Sequence, residues 1–293
     1  TAVLLAATML LTSGVTVFAD RVDVVINKPY LALGADLSPQ EQMTVLSLLG
    51  LSDINVDDYD IISITNADEH EYLDKYLDAS IIGTRALSSV LVVGKEAGNG
   101  IHVTTKNISY CTEGMYRNAL LTAGIEDADI TVAGPFSISG TAALVGAIKA
   151  YETMTGEEID DENLDAANDE LVLTGKLVED IGDSEKAEDL MALVKQEVAE
   201  NKLTSAEDIQ NVVDQACDQL DIQLSEENQK QIAELMKKIE GLDLDVDKLK
   251  DQAKDLYQKL ENLDFHVDKE SVGNFFTRII DAIVKFFQGL FGK

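Results

Sequence analysis

The spacing of apolar positions changes several times along the chain, and each spacing predicts a different kind of structure. Residues 3–11 are almost wholly apolar, then Thr12, Ser13 and Gly14 lead to Val17-Phe18-Ala19 before Asp20. A hydrophobic run ending in small residues is the pattern of a secretory signal, with cleavage expected after Ala19. From 20 to 156, short β-branched runs at 22–26, 61–65, 90–93, 101–105 and 130–132 predict strands alternating with helices. Asn99-Gly100, between two of them, predicts a hairpin turn. Ser38-Pro39 opens a helix through Leu49, with Glu41 placed for a capping box and Gly50 closing it. Thr112 opens a second helix closed by Gly124. The order strand-helix-strand-helix thus occurs twice, with an added strand near Leu91; a degenerate duplication and a chance likeness of two ordinary units both account for it.

After Glu157 strand signals fade. Ile209, Val212, Val213, Ala216 and Leu220 make one helical stripe; Ile232, Leu235, Met236 and Ile239 a second; Leu249, Ala253, Leu256 and Leu260 a third. Ser184, Ser205, Ser225 and Ser271 stand where helix caps are expected. Such stripes need partners, either in a bundle packed with or beside the α/β domain or in a string of helices that associates with another protein. In the last 23 residues, Phe275, Phe276, Ile279, Ile280, Ile283, Val284, Phe286, Phe287, Leu290 and Phe291 fill an arc of about 180° at 100° per residue. This arc fits an in-plane membrane helix or a helix docked on its own bundle or on a partner.

Charge follows the same divisions. Residues 20–156 carry 8 basic and 19 acidic side chains, residues 157–270 carry 12 and 34, and residues 271–293 carry 3 and 1, within a total net charge of −31. A nucleic-acid backbone would be repelled by most of this molecule. Four segments follow: a signal peptide at 1–19, an α/β domain at 20–156 expected to fold alone, an acidic all-α region at 157–270 and an amphipathic helix at 271–293. The α/β domain is expected to hold a mixed sheet. Apart from the leader, no stretch of about 20 apolar residues occurs to span a bilayer.

Four motifs in order, 33–37 (Leu-Gly-Ala-Asp-Leu), 65–73 (Thr-Asn-Ala-Asp-Glu-His-Glu-Tyr-Leu), 82–89 (Ile-Gly-Thr-Arg-Ala-Leu-Ser-Ser) and 135–143 (Pro-Phe-Ser-Ile-Ser-Gly-Thr-Ala-Ala), carry a family resemblance. The chain resembles the YpuA-like family of secreted Gram-positive bacterial proteins, domain-of-unknown-function family 1002, over roughly residues 20 to 260. The resemblance implies a signal peptide and an extracytoplasmic address, and brings no activity, cofactor or catalytic residue with it.

Candidate chemistry is sparse, with 3 His and 2 Cys. Asp68, His70 and Glu71 open a helix after a strand and offer a carboxylate and an imidazole for a cation or a water, although acidic residues in a first turn also serve the helix dipole, with Asn66 or Asp68 as cap. Arg85 is a lone cation among small residues, suited to a structural pair with Asp68 or Glu71. Ser88 and Ser89 lack the glycines of a nucleophile elbow. Residues 134–141 (Gly-Pro-Phe-Ser-Ile-Ser-Gly-Thr) lack the lysine of a phosphate loop and predict a tight turn with a Ser or Thr cap. Asp243, Asp245 and Asp247 begin like a calcium loop, but Lys248 stands where its glycine belongs. Cys111 and Cys217 are expected as two separate buried thiols, a disulfide being the alternative. No cofactor or metal is expected. The sequence therefore points to an exported, non-enzymatic envelope or secreted protein that binds a protein partner or a membrane surface through its helical C-terminal part. The alternative is an extracellular hydrolase at the strand-end loops near His70 and Ser139. Oligomeric state is not legible.

Overall fold

The computed structural model describes residues 28–250 apart from positions 53, 54, 157 and 243. The leader, the strand expected at 22–26, Ser271 and the amphipathic segment 275–291 lie outside the described residues. Five strands, β1 (Tyr30–Gly34), β2 (Asp60–Ile64), β3 (Ser89–Gly94), β4 (Ile101–Ile108) and β5 (Ala128–Ile138), form one mixed sheet in the order β2-β1-β3-β5-β4. β1 pairs parallel with β2 and β4 parallel with β5, while β3 runs antiparallel to both its neighbours.

Strand side chains alternate between faces, and here both faces are apolar where they are covered. Ala32, Val90, Val92, Ile130 and Val132 face a core shared with α2 (Asn66–Leu73), α4 (Glu113–Thr122) and α5 (Thr141–Thr155). Leu31, Leu33, Leu91 and Ala133 face the other way, against Val45 and Leu49 at α1 (Pro39–Leu48). α5 lies close to the sheet because it is built from small residues. A Cβ at Gly146 would stand 2.8 Å from that of Ala32.

The hairpin expected at Asn99-Gly100 is not formed: β5 separates β3 from β4. The turn is instead fastened to the entry of β5, where Asp127 Oδ1 accepts from the amides of Gly98 (3.0 Å) and Gly100 (2.7 Å). Both glycines have positive φ. A strand largely buried on both faces gains more from a central place than a local turn signal gains from a hairpin.

Helix ends mostly follow the expected chemistry. Ser38 and Glu41 make the capping box of α1 and Thr112 caps α4. Ser205 caps α8 (Ala206–Leu220) and Ser225 caps α9 (Glu226–Glu240). Three caps differ. Asp183, not Ser184, caps α7 (Ser184–Asn201). Thr65, not Asn66 or Asp68, caps α2, with Asp68 completing the box. α5 starts from Gly140 at φ 102°, without a side-chain cap, because a Cβ there would lie 2.6 Å from the Tyr116 hydroxyl. The strand-helix-strand-helix order does recur, as β1-α1-β2-α2 and β4-α4-β5-α5, but α1 and α4 cover opposite faces of the sheet.

The helical region packs on the α/β layer through α6 (Asp161–Ile181). Ala167 and Leu171 join the sheet core, whereas Ala166, Leu173 and Leu177 join a second core with α7, α8 and α9. Positions 167 and 171 share one side of a helix and 166, 173 and 177 share another, so α6 is a common wall. Ile209, Val213, Ala216 and Leu220 point into this second core, as do Ile232, Leu235, Met236 and Ile239. Leu249 of the third stripe is buried; the rest of it lies outside the described residues. No helix of the described residues is long and apolar enough to cross a membrane.

The boundary near Glu157 therefore separates elements without separating cores. A chain ending at Gly156 would lack Ile159, Ala167 and Leu171, all buried in the sheet core. We expect it to melt broadly and at lower temperature than a chain ending at Gly182, by differential scanning calorimetry. Equal, sharp transitions would show that the α/β layer stands without α6.

Candidate functional site

Consecutive helical residues diverge by about 100°, and this decides the fate of the polar run in α2. Asp68 turns to α5, with Lys149 Nζ at 2.5 Å, and also serves the cap at Thr65. These bonds, Lys149 first and Thr65 next, hold its carboxyl down at about 2. Glu69 turns inward, 1% exposed, accepting from Thr141 Oγ1 at 2.6 Å and Asn66 Nδ2 at 3.2 Å. Its burial raises its pKa in spite of those bonds. His70 Nδ1 lies 2.5 Å from Asp74 Oδ1, and this carboxylate chiefly raises the imidazole's pKa. Glu71 faces a cleft.

The other expected participants are also engaged elsewhere. Arg85 bonds the Asp36 carbonyl (2.8 Å) and Glu41 Oε2 (3.0 Å), tying the segment before β3 to α1, and not to Asp68 or Glu71 as expected. The physical reason is that Asp68 already holds Lys149. Ser88 Oγ accepts from the Ala143 amide and Ser89 Oγ from the Gly34 amide. Ser139 Oγ is 3.2 Å from Thr141 Oγ1. His70 and Ser139 are thus not joined, and the imidazole is oriented by Asp74. Cys111 and Cys217 are both buried free thiols. Asp245 Oδ1 accepts the Asp247 and Lys248 amides, so it caps a turn. Among the described residues no three His, Cys, Asp or Glu side chains are grouped to hold a metal ion.

What the fold does build is a cleft of about 830 Å³ where the α/β layer meets the helical region. Glu71, Tyr72, Lys75 and Tyr76 form one wall, from α2 and the turn after it. Glu152 of α5 and Glu158 to Asn168 of the α5–α6 connection and α6 form the second; Lys238 of α9, with Gly241 and Leu242, closes the third. Asp165 is its electrostatic centre. It accepts from Lys75 Nζ at 2.5 Å and from Tyr76 Oη and Lys238 Nζ, while Lys238 also meets Asp169 at 2.7 Å. Lys238, then Lys75 and Tyr76, hold the Asp165 carboxyl well below the usual range. Lys75 Nζ also stands 5.0 Å from the Tyr76 ring centre, and Lys149 Nζ 5.3 Å from that of Tyr72. Burial, then Glu152 and Glu71, push the Tyr72 hydroxyl's pKa up.

Sequence reasoning found Glu71 and missed the rest of this cleft. The inward phase of Glu69 was readable, since it lies four residues before buried Leu73 on the same side of α2. The meeting of Asp165 with Lys75 and Lys238 had no local signal.

Comparison with known proteins agrees with the motifs. The family model for "Protein of unknown function (DUF1002)" matches residues 33–256. The "Uncharacterized protein YpuA" of Bacillus subtilis (strain 168) is 38% identical over 271 residues, covering 91% of this chain and 92% of that protein. No solved structure matches.

Proposed function

Given that this chain belongs to the DUF1002 family of proteins of unknown function, we propose that it is an exported, non-enzymatic protein that binds a polypeptide partner. The observation that carries this reading is the cleft, which gathers carboxylates and tyrosines from three elements while the imidazole of His70 is turned to Asp74 and the nearby serines serve backbone amides. A built concavity without an assembled nucleophile and base favours binding over hydrolysis. Export is supported by the leader pattern of residues 3–19. The apolar arc at 275–291 supplies a second contact surface, and a polypeptide suits it better than anionic lipid because the chain carries net −31.

The test is chemical cross-linking of the full mature chain in its own cell envelope, beside flotation with phosphatidylglycerol–phosphatidylethanolamine vesicles. We expect one dominant cross-linked polypeptide and no flotation, with His70→Ala leaving the cross-link unchanged. Flotation that requires residues 271–293, without any cross-linked protein, would replace the polypeptide partner by a membrane surface.

A further inference from the structure

The cleft has a chemical preference of its own. Six carboxylates line it, from Glu71, Glu152, Glu158, Asp161, Glu162 and Asp165, against two ammonium groups, Lys75 and Lys238. Both lysines are already held by Asp165, and Lys238 by Asp169 as well. Among the described residues no Lys or Arg pairs with Glu71, Glu158, Asp161 or Glu162, so the lining keeps an unneutralised surplus of negative charge. A second, independent feature lies at its base. Asn168 is only 4% exposed, donates Nδ2 to the Tyr72 carbonyl at 3.5 Å, and its Oδ1 accepts from no described residue. A buried amide oxygen costs free energy unless it is hydrogen-bonded, and this one lines the cleft, where a ligand's N–H can reach it.

We infer that the cleft binds a ligand carrying two or more ammonium groups. Carboxylates at the rim and the amide oxygen below accept from the nitrogens, and the Tyr72 and Tyr76 rings add cation–π attraction of the kind they already give Lys149 and Lys75. The alkyl stems of such a ligand find Ile159, Leu164 and Leu242. The volume lies within the roughly 300–1,000 Å³ of ordinary ligand sites, enough for a short basic stretch of chain. Lysine-rich polypeptide and free polyamine share this chemistry. The inference rests on the binding reading above and names the ligand's class.

Because the whole chain is acidic, the experiment must separate this cleft from diffuse attraction. The full chain is titrated at about 20 mM salt, where exposed charges are weakly screened, with labelled pentalysine by fluorescence anisotropy and with spermine by calorimetry. The triple variant Glu71→Gln, Glu158→Gln, Glu162→Gln is compared with an equal charge change on exposed positions of α8, Glu207→Gln, Asp214→Asn, Asp218→Asn. We expect the cleft triple to weaken binding about tenfold and the α8 triple less than about twofold. Asn168→Leu, which alters no charge, should weaken it about threefold, with thermal melts checking each fold. Either probe bound in this pattern supports the inference, and their ranking identifies polypeptide or polyamine as the source. Equal losses in the two triples, or no saturable binding of either probe, would overturn it. A cross-linked envelope partner that survives the cleft triple leaves the binding reading in place and removes this one.

Discussion

Replacing Lys195 with methionine should destabilise the protein by about 3–5 kcal/mol, because it leaves a buried carboxylate without its counter-charge. Lys195 and Glu170 are both fully buried. The ammonium meets Glu170 Oε1 at 2.9 Å and Oε2 at 3.1 Å, Thr122 Oγ1 at 3.1 Å and the Asn118 carbonyl at 2.9 Å. Thr122 in turn donates to Glu170 Oε2 at 2.5 Å. Burial lowers the lysine's pKa and Glu170 opposes that, so a charged pair is kept only while both partners are present. The cluster joins α4 of the sheet layer to α6 and α7, which makes it a polar rivet between the two cores. Adding Glu170→Gln to Lys195→Met removes the stranded charge and should recover about half of the loss. Urea unfolding of the two single variants and the double variant reads this directly. A loss below about 1 kcal/mol for Lys195→Met would mean that water reaches Glu170.

Glu197 should make the protein less stable as pH rises through neutrality. It lies on α7, 9% exposed, with Oε1 unpartnered and Oε2 accepting from Asn201 at 3.1 Å. Burial, and then the nearby Glu200, push its carboxyl up to about 7. The folded chain then binds this proton more tightly than the unfolded chain, whose glutamate titrates near its ordinary value of about 4.3. Between those two values the folded state carries more protons, so this group's contribution to stability falls as pH rises and levels off above the folded pKa. The shift corresponds to at most on the order of 3 kcal/mol. Glu197→Gln should abolish this slope between about pH 5 and 8 and leave the variant more stable than the parent at pH 8. Thermal melts across that window compare the two chains. Parallel stability curves would place the raised proton affinity elsewhere, with Glu69 the other buried carboxyl shifted upward.

Much of the architecture was legible because its signals are local. Strand runs, the capping box at Ser38 and Glu41, the cap at Thr112 and the closing glycines at 50 and 124 depend on residues a few positions apart, and they occur where spacing puts them. The stripes of α8 and α9 are buried as their period requires. Family membership was readable for the same reason, from four short motifs in order.

Strand order, the shared wall of α6 and the cleft belong to the tertiary structure alone. Asn99-Gly100 is a sound hairpin signal, yet β5 enters between its strands because central burial of a long apolar strand outweighs one turn. Asp68, Glu69, His70 and Glu71 are neighbours in the chain, and helical geometry sends them to Lys149, Thr141, Asp74 and the cleft. Asp165 is distant from Lys75 and Lys238 in sequence and meets both in space. By itself the amino-acid sequence determined the elements, their faces, the charge and the family; only packing decided which charges meet, since a pair separated by some 70 to 90 residues leaves no mark on the local pattern of either partner.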